Sequence, residues 1–269
     1  MIEHLLPAGV FSRAAYGDEL DQAPLHPEET PAVARAVAKR QREYAAGRAC
    51  ARAALARLGA PPGPVLRDSH RGAPLWPAGV VGSITHCDGY RAAAVARTAD
   101  ILTLGIDAEP HDRLPEGVLD AIVATDAERA ALARLTESAP RIHWDRLLFS
   151  AKETVYKAWY PYHHRMLGFH EAELLFTADA DTPDGGLPDA GFPDADTPNA
   201  GFPYAGTPGD TPERGGYTAR LLVPGPLLAE GTGPEVFTGR WIVRDGLLVT
   251  AIAVPATVDG AAPPADAAG

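Results

Sequence analysis

Residues 142–161, IHWDRLLFSAKETVYKAWYP, predict an amphipathic helix around which the rest of the chain is organised. At about 100° per residue, seven apolar side chains share one core-facing stripe. They are Trp144, Leu147, Leu148, Ala151, Val155, Ala158 and Trp159. Glu153 and Lys157 project roughly opposite this stripe, so the helix can form the wall of a cleft. The alternative is a surface pair at i,i+4, worth only about a few tenths of a kcal/mol. Pro161 is expected to end the helix, because proline disfavours helical geometry in the residue before it.

Residues 101–110, ILTLGIDAEP, predict a strand that ends in two acids. Since side chains alternate faces along a strand, Asp107 and Glu109 point the same way. Their carboxylates either lie at an exposed strand end or have a cation between them. Oxygen ligands suit Mg²⁺, which takes one or two carboxylates together with water and phosphate oxygens. Glu153 is the candidate for a third carboxylate.

A second long helix is predicted over residues 30–58, where Thr30-Pro31 provides a cap and Gly59 provides a stop. Two of its arginines, Arg40 and Arg48, lie two turns apart and within about 80° of each other. Most arginines on such a helix are simply solvated. Residues 80–85 and 91–96 then predict two buried strands joined by a turn at residues 86–89.

The composition excludes several classes of protein. The chain has 269 residues, 46% of them hydrophobic, without a run of 18 apolar residues, so we expect no membrane span. The N-terminus does not resemble a signal peptide, and the two cysteines have no CxxC spacing. A cytoplasmic protein is therefore expected. No long basic run with interleaved aromatic residues is present, so we expect no nucleic-acid partner.

Acidic residues are concentrated in one low-complexity segment. Residues 178–216 carry a net charge of −7, out of −11 for the whole chain, and AGFP recurs at 190–193 and 200–203. The segment is rich in Asp, Pro and Gly and lacks apolar periodicity, so we expect an unfolded insertion. Residues 259–269 are expected to form a flexible tail.

The order of elements predicts an α+β fold in a single chain. We expect two pseudo-symmetric subdomains, each a helix with a small antiparallel sheet. The first would span residues 1–110 and the second residues 111–258, with the insertion inside the second. The active site is expected in the seam, where the acids that end the first half meet the helix of the second.

Three segments carry a family resemblance. GSITHCDGY (82–90), LGIDAEP (104–110) and FSAKETVYKAW (149–159) occur in order. They resemble the signature segments of the 4′-phosphopantetheinyl transferases, in the larger monomeric type that activates siderophore and polyketide synthases. The resemblance covers nearly the whole chain apart from the insertion and the tail. Phe149 stands where many members carry tryptophan, and since this position lies at the edge of the core stripe, we expect packing rather than chemistry to differ.

The resemblance implies an activity and a set of site residues. Coenzyme A would donate its phosphopantetheine arm to a serine of an apo acyl or peptidyl carrier protein, releasing 3′,5′-ADP. Asp107, Glu109 and Glu153 would hold Mg²⁺, and Glu153 can also accept the serine proton. Lys157 would contact the phosphates, and with Asp107 and Glu153 it completes the predicted catalytic group. The residues assigned to coenzyme A are Arg40, Arg48, Arg67, Arg71, Thr85, His86, Asp107, Glu153 and Lys157.

Two other functions compete with this interpretation. One is a different Mg²⁺-dependent phosphotransferase acting on a small nucleotide, although the chain has no GxxxxGK[ST] loop and no kinase motifs. The other is a non-catalytic adaptor that binds coenzyme A or carrier proteins without turnover. For His86 alone, a hydrogen-bonded turn histidine is also an ordinary interpretation.

Overall fold

The computed structural model describes residues 1–178, 213–223 and 236–256. The helices of this part are α1 (Ala38–Arg57), α2 (Val118–Ile122), α3 (Asp126–Ser138) and α4 (Trp144–His163). Short 3-10 turns lie at Ile2–Leu5, Thr30–Ala32 and Phe169–Glu171. The strands are β1 (Phe11–Tyr16), β2 (Val80–Cys87), β3 (Tyr90–Arg97), β4 (Ile101–Pro110), β5 (Ala172–Ala178), β6 (Glu213–Leu221), β7 (Val236–Arg244) and β8 (Leu247–Pro255). The predicted α+β class is confirmed.

The first sheet has the antiparallel order β1-β3-β2, and α1 packs against one face of it. Strands β2 and β3 are joined by the two-residue turn Asp88-Gly89, where Gly89 has a φ of +74°. Helix α1 begins eight residues later than predicted, at Ala38. The reason is local, since the Gln41 side chain donates to the carbonyls of Val33 (3.3 Å) and Ala36 (3.0 Å) and satisfies them outside a helix.

The second sheet has the order β4-β8-β7-β6-β5, and α4 packs across it. All seven residues of the predicted stripe are at most 1% exposed, so the core-facing side of the helix is confirmed. Strand β6 begins at Glu213 and so takes in residues 213–216, the end of the predicted insertion. The other predicted insertion residues, 179–212, and the predicted tail lie outside the described residues.

Pro161 does not end α4, which was the one wrong expectation for this helix. The helix continues to His163 and is closed by His164, whose φ of 49° is left-handed. A proline removes one backbone donor, and here tertiary contacts outweigh that loss. Tyr160, beside the proline, is buried, and the Thr103 hydroxyl donates to the Ala158 carbonyl one turn earlier.

Strands β2 and β4 lie side by side at the seam between the two sheets. Hydroxyl groups of β2 accept hydrogen bonds from the β4 backbone: Ser83 from Ile106 (3.1 Å) and Thr85 from Ala108 (3.0 Å). Strand β4 forms its own ladder with β8. It therefore belongs to the second sheet by backbone pairing and touches the first through side chains, and the subdomain boundary after residue 110 stays a prediction.

Gly105 allows α4 to approach β4 closely. A Cβ atom at this position would lie 2.3 Å from the Thr154 carbonyl oxygen and 3.0 Å from the Ala158 nitrogen. Any side chain would push the helix away from the strand. Because Asp107 is two residues along this strand and Lys157 lies on this part of the helix, the glycine brings the predicted site residues together.

None of the helices in the described part of the chain combines the length and apolar composition that crossing a lipid bilayer requires.

Candidate active site

Asp107 is the centre of the polar group in the seam. Its side chain is 5% exposed and accepts hydrogen bonds from Thr85 Oγ1 (3.1 Å) and Ser150 Oγ (2.8 Å). Lys157 Nζ donates to the same carboxylate at 2.6 Å and to the Ile106 carbonyl at 3.2 Å. Charge-assisted bonds of this length are among the stronger ones in proteins. Lys157 is thus the partner of Asp107 rather than half of a surface pair with Glu153.

Hydroxyl groups that sequence reasoning did not single out complete this network. Thr250 lies directly across the ladder from Asp107, and its Oγ1 is 3.0 Å from Ser150 Oγ and 2.6 Å from Thr154 Oγ1. All of them are buried. Two signals were available: Thr250 is the one polar residue in an apolar strand, and Ser150 and Thr154 lie one turn apart on the buried side of α4. Of these hydroxyls, Ser150 bonds directly to Asp107, while Thr250 and Thr154 hold Ser150 in place.

Glu109 is held by a different cation. Arg146 Nη1 lies 3.1 Å from its carboxylate, while the other guanidinium nitrogens donate to the carbonyls of Asp112 (3.1 Å) and Arg113 (2.7 Å). The planar fork of arginine suits this arrangement, because it satisfies three acceptors in fixed directions. Arg146 was also not anticipated from the sequence. It ties the start of α4 to the turn that follows β4.

The three predicted metal ligands interact electrostatically. Burial raises the pKa of Glu153, the charge of Asp107 adds to the shift, and Lys157 opposes it. Burial likewise raises the pKa of Glu109, and Asp107 adds to that shift while Arg146 opposes it. The charge of Asp107 therefore lies close enough to each glutamate to repel its ionised form. Negative charge is therefore concentrated at the seam.

The carboxylates are not grouped as a ready-made metal site. Within residues 1–178, 213–223 and 236–256, no three His, Cys, Asp or Glu side chains come together closely enough to hold an ion. Asp107 is paired with Lys157, and Glu109 with Arg146. The donor chemistry nonetheless fits Mg²⁺, since all three groups are oxygen ligands and their mutual repulsion is what a divalent cation relieves. The metal assignment stays a prediction.

Cations predicted to bind coenzyme A form a second group beside Asp107. Arg40 Nη1 contacts His86 Nε2. Burial lowers the pKa of His86, and the charges of Arg40 and Lys157 lower it further. Arg48 is 5% exposed, and its guanidinium lies 4.3 Å from the centre of the Tyr44 ring. Its Nε atom is buried without a hydrogen-bond partner among the described residues. Such a group is suited to an anion.

Arg67 and Arg71 lie in the loop between α1 and β2. Asp68 shapes this loop, accepting hydrogen bonds from four successive backbone N–H groups, residues 70–73, at 2.7–3.2 Å. The Arg67 side chain packs against Gly72, where a Cβ atom would lie 3.8 Å away. Arg71 lines a cavity of about 300 Å³ together with Glu153, Tyr156 and Met166. The structure therefore places Arg71 beside Glu153, while the contacts of Arg67 are within its own loop.

Thr85 was predicted to touch coenzyme A, but its hydroxyl binds Asp107 and the backbone of β4. Phe149 packs against Phe169, with 5.6 Å between ring centres, as expected for a position at the edge of the core.

Comparison with known families gives two adjoining matches. Residues 28–96 match the 4′-phosphopantetheinyl transferase N-terminal domain, and residues 103–183 match the 4′-phosphopantetheinyl transferase superfamily. Together they contain the seam. The chain belongs to the 4′-phosphopantetheinyl transferases. The resemblance of the three sequence segments and the prediction of an enzyme are thereby confirmed.

Relatives of this transferase match over nearly their whole length. The chain is 49% identical to 4′-phosphopantetheinyl transferase Svp of Streptomyces mobaraensis, covering 100% of this chain and 95% of the relative. It is 45% identical to 4′-phosphopantetheinyl transferase Npt of Nocardia iowensis, covering 94% of this chain and 99% of the relative. It is 42% identical to 4′-phosphopantetheinyl transferase PptT of Mycobacterium tuberculosis, covering 94% of this chain and 97% of the relative. The match to full-length relatives supports the larger type of phosphopantetheinyl transferase.

Glu153→Gln is expected to stabilise the metal-free transferase near neutral pH. The folded-state pKa of Glu153 lies above its ordinary value of 4.5, so the folded protein prefers the protonated carboxyl. The ionised form therefore costs folding free energy above the folded pKa, and this cost disappears as the pH falls to the ordinary value. In EDTA, the melting temperature of the variant should exceed that of the wild type by about 1–3 °C at high pH. The gain should shrink as the pH falls through the raised pKa of Glu153 toward 4.5.

Added Mg²⁺ should reverse the order, raising the melting temperature of the wild type more than that of Glu153→Gln. Glu137→Gln, on an exposed part of α3, is the matched control and should follow the wild type in both buffers. A variant less stable than the wild type at every pH would contradict the electrostatic assignment.

Proposed function

We propose that this enzyme transfers the 4′-phosphopantetheine arm of coenzyme A to a serine of an apo carrier protein, depends on Mg²⁺, and releases 3′,5′-ADP. One observation carries the proposal: a group of acids and a group of cations adjoin at the seam. His86 connects them, because its pKa responds to Arg40 on one side and to Lys157 and Asp107 on the other. A polyanionic donor with a reacting pyrophosphate needs cations that bind its phosphates and acids that can hold a metal ion beside them.

The cation group supports the choice of donor. Coenzyme A carries a 3′-phosphate remote from its reacting pyrophosphate, and two anionic centres need two sets of donors. Arg40, Arg48 and His86 would bind one of them, and Lys157 the other. An anion bound beside His86 would raise the pKa of that imidazole, opposing the effects of burial and of Arg40.

Glu153 is suited to take the proton of the acceptor serine. Its pKa is raised, which moves a glutamate toward the operating pH of a general base. As the serine oxygen forms its bond to the phosphorus of the pantetheine phosphate, the bond from that phosphorus to the bridging oxygen breaks. The electron pair leaves with 3′,5′-ADP, and the serine proton goes to Glu153. Lys157 lies where it can balance the charge that develops on the leaving phosphate.

Asp107, Glu109 and Glu153 would hold the Mg²⁺ ion. When bound, the ion supplies charge neutralisation at the pyrophosphate oxygens. Thr85, whose hydroxyl also accepts from the Ala108 N–H group, and Ser150 would keep Asp107 in place whether or not Lys157 remains bonded to it. Arg146 has the same role for Glu109.

Carrier domains of polyketide and peptide synthases, including those of siderophore pathways, are the proposed acceptors. A monomeric state and a cytoplasmic location are parts of the same proposal. They follow from the resemblance to the larger type and from cysteine usage.

Transfer is tested by incubating the full chain with coenzyme A, MgCl₂ and an apo carrier protein. Intact-mass spectrometry should show one phosphopantetheine arm on the carrier and an equal amount of 3′,5′-ADP. A carrier with its acceptor serine replaced by alanine is the control, and EDTA should stop the reaction. Binding of coenzyme A without transfer to any carrier would indicate an adaptor instead, and transfer in EDTA would overturn the requirement for metal.

A further inference from the structure

The segment FSAKETVYKAW (149–159) contains a second lysine, Lys152, which directly precedes Glu153 and has no part in the proposed chemistry. Its side chain is buried, at 3% exposed, in the floor of the cavity that Glu153 also lines. A lysine next to the proposed base invites the interpretation that it binds a phosphate of the substrate. Its contacts indicate otherwise.

The ammonium group of Lys152 is fully used by the protein. Lys152 Nζ donates to the carbonyls of Ile122 (2.7 Å), Phe169 (2.7 Å) and Ala172 (2.9 Å), and to Glu128 Oε2 (3.0 Å). An ammonium has three protons, so four acceptors at these distances leave no donor for a ligand. These acceptors come from four places in the chain: the end of α2, the first turns of α3, the 3-10 turn after α4, and the start of β5.

Glu128 completes the connection from the other side. It is 0% exposed, and it accepts hydrogen bonds from the backbone N–H groups of Ala124 (2.6 Å) and Leu174 (2.7 Å) as well as from Lys152. A buried carboxylate and a buried ammonium are tolerated only when their remaining hydrogen-bond donors and acceptors have partners, as they do here. Lys152 and Glu128 thus connect the end of α2, the start of α3, the 3-10 turn and β5, which are not paired with one another as strands of a sheet.

Two of those segments form the wall of the cavity. Phe169 and Ala172 line it together with Glu153, and the backbone carbonyls of both accept hydrogen bonds from Lys152. The position of this wall relative to Glu153 is therefore set by one buried ammonium. Burial lowers the pKa of Lys152 while the charge of Glu128 opposes that shift, which is the balance expected for a pair held inside the fold.

We propose that Lys152 is a positioning residue: with Glu128 it fixes the cavity wall at residues 168–172 against α4, and so sets the geometry in which the substrate meets Glu153. This inference rests on the proposed function. Lys152 touches no substrate and acts only through the four segments it joins. A displacement of about 1 Å in such a wall can lower a rate by about a hundredfold.

A double-mutant cycle tests this inference, using Lys152→Met, Glu128→Gln and the double variant. At a temperature well below every melting point, both single variants should lower kcat by about 10- to 100-fold, with a smaller change in KM for coenzyme A. The double variant should be no slower than the slower single variant, because both substitutions break one unit. Glu29→Gln is the matched control, because Glu29 is also 0% exposed and accepts hydrogen bonds from Arg52 and from two backbone N–H groups, yet it does not line the cavity. It should lower the melting temperature and keep kcat within about twofold of the wild type.

Two outcomes would overturn the assignment. If Lys152→Met is much slower than Glu128→Gln and the two losses multiply, Lys152 contacts the substrate directly. If both variants keep the wild-type kcat while their melting temperatures fall, the pair is purely structural. Should Lys152→Met fail to fold, Glu128→Gln alone separates these cases from positioning, because Glu128 is buried away from any substrate. The coupling between the two substitutions can also be measured from melting temperatures, which need no turnover. Failure of the proposed function would be seen separately, because the wild type itself would then transfer nothing.

Discussion

Asp107→Asn is expected to lower the rate of transfer at least about a thousandfold, on the order of 4 kcal/mol in activation free energy. The substitution keeps the size of the side chain and removes its charge. Lys157 loses the anion 2.6 Å from its ammonium, and the predicted metal site loses the one carboxylate that interacts with both of the others. The Thr85 and Ser150 hydroxyls can still bond to the amide, so the protein should fold. The measurement is initial rate by intact mass of the carrier, at saturating coenzyme A and Mg²⁺.

Asp88→Asn makes the same chemical change at an exposed turn, where the carboxylate pairs with Lys39, and it should transfer at the wild-type rate. The stability of Asp107→Asn must be followed by thermal melting, because unpaired Lys157 is partly buried. Retention of more than about a tenth of the wild-type rate by a folded Asp107→Asn protein would remove Asp107 from the chemistry.

Sequence periodicity was sufficient to predict the packing of α4 and the hairpin of β2 and β3. Each of these depends on a local pattern: a 3.6-residue stripe in one case, and two short buried-strand segments on either side of a Gly turn in the other. The start of α1 could not be read in this way. It depends on one side chain, Gln41, that satisfies carbonyls a helix would otherwise have used. Pro161 shows the same limit, since burial of its neighbours decides that the helix continues.

The candidate site was predictable as a set of residue types and not as a set of contacts. Asp107, Lys157 and His86 could be selected from the three segments, and the structure brings them together. The partners that hold them could not be selected, because they come from distant parts of the chain: Thr250 pairs with Asp107 across 143 residues. For the same reason, the role of Lys152 was invisible in its motif. Its acceptors are mostly backbone carbonyls, which no residue type reveals.

The second large effect is expected from Arg40→Met, measured with two donors. If Arg40 and His86 bind the 3′-phosphate, the variant should raise KM for coenzyme A by about 10- to 100-fold, corresponding to the loss of one charge-assisted pair. With 3′-dephospho-coenzyme A, which lacks that phosphate, KM should change by less than about threefold. Arg42→Met is the control. It lies on the same helix, its side chain has the same 44% exposure, and it pairs with Asp21.

Comparing the two donors distinguishes direct binding of the 3′-phosphate by Arg40 from a general electrostatic effect of the positive charges on α1. A change in the field would weaken both donors in proportion to their charge, whereas a direct contact affects only the donor that carries the phosphate. Arg48 lies near Arg40 and contacts Tyr44, while its Nε atom has no hydrogen-bond partner among the described residues, so it should behave like Arg40. Equal losses with both donors would place the 3′-phosphate elsewhere and leave these arginines as a structural feature of the helix. A rise in KM restricted to coenzyme A would show that the cations next to His86 bind the 3′-phosphate, at the end of the donor farthest from the reaction. Lys157 and the acids would then act on the pyrophosphate.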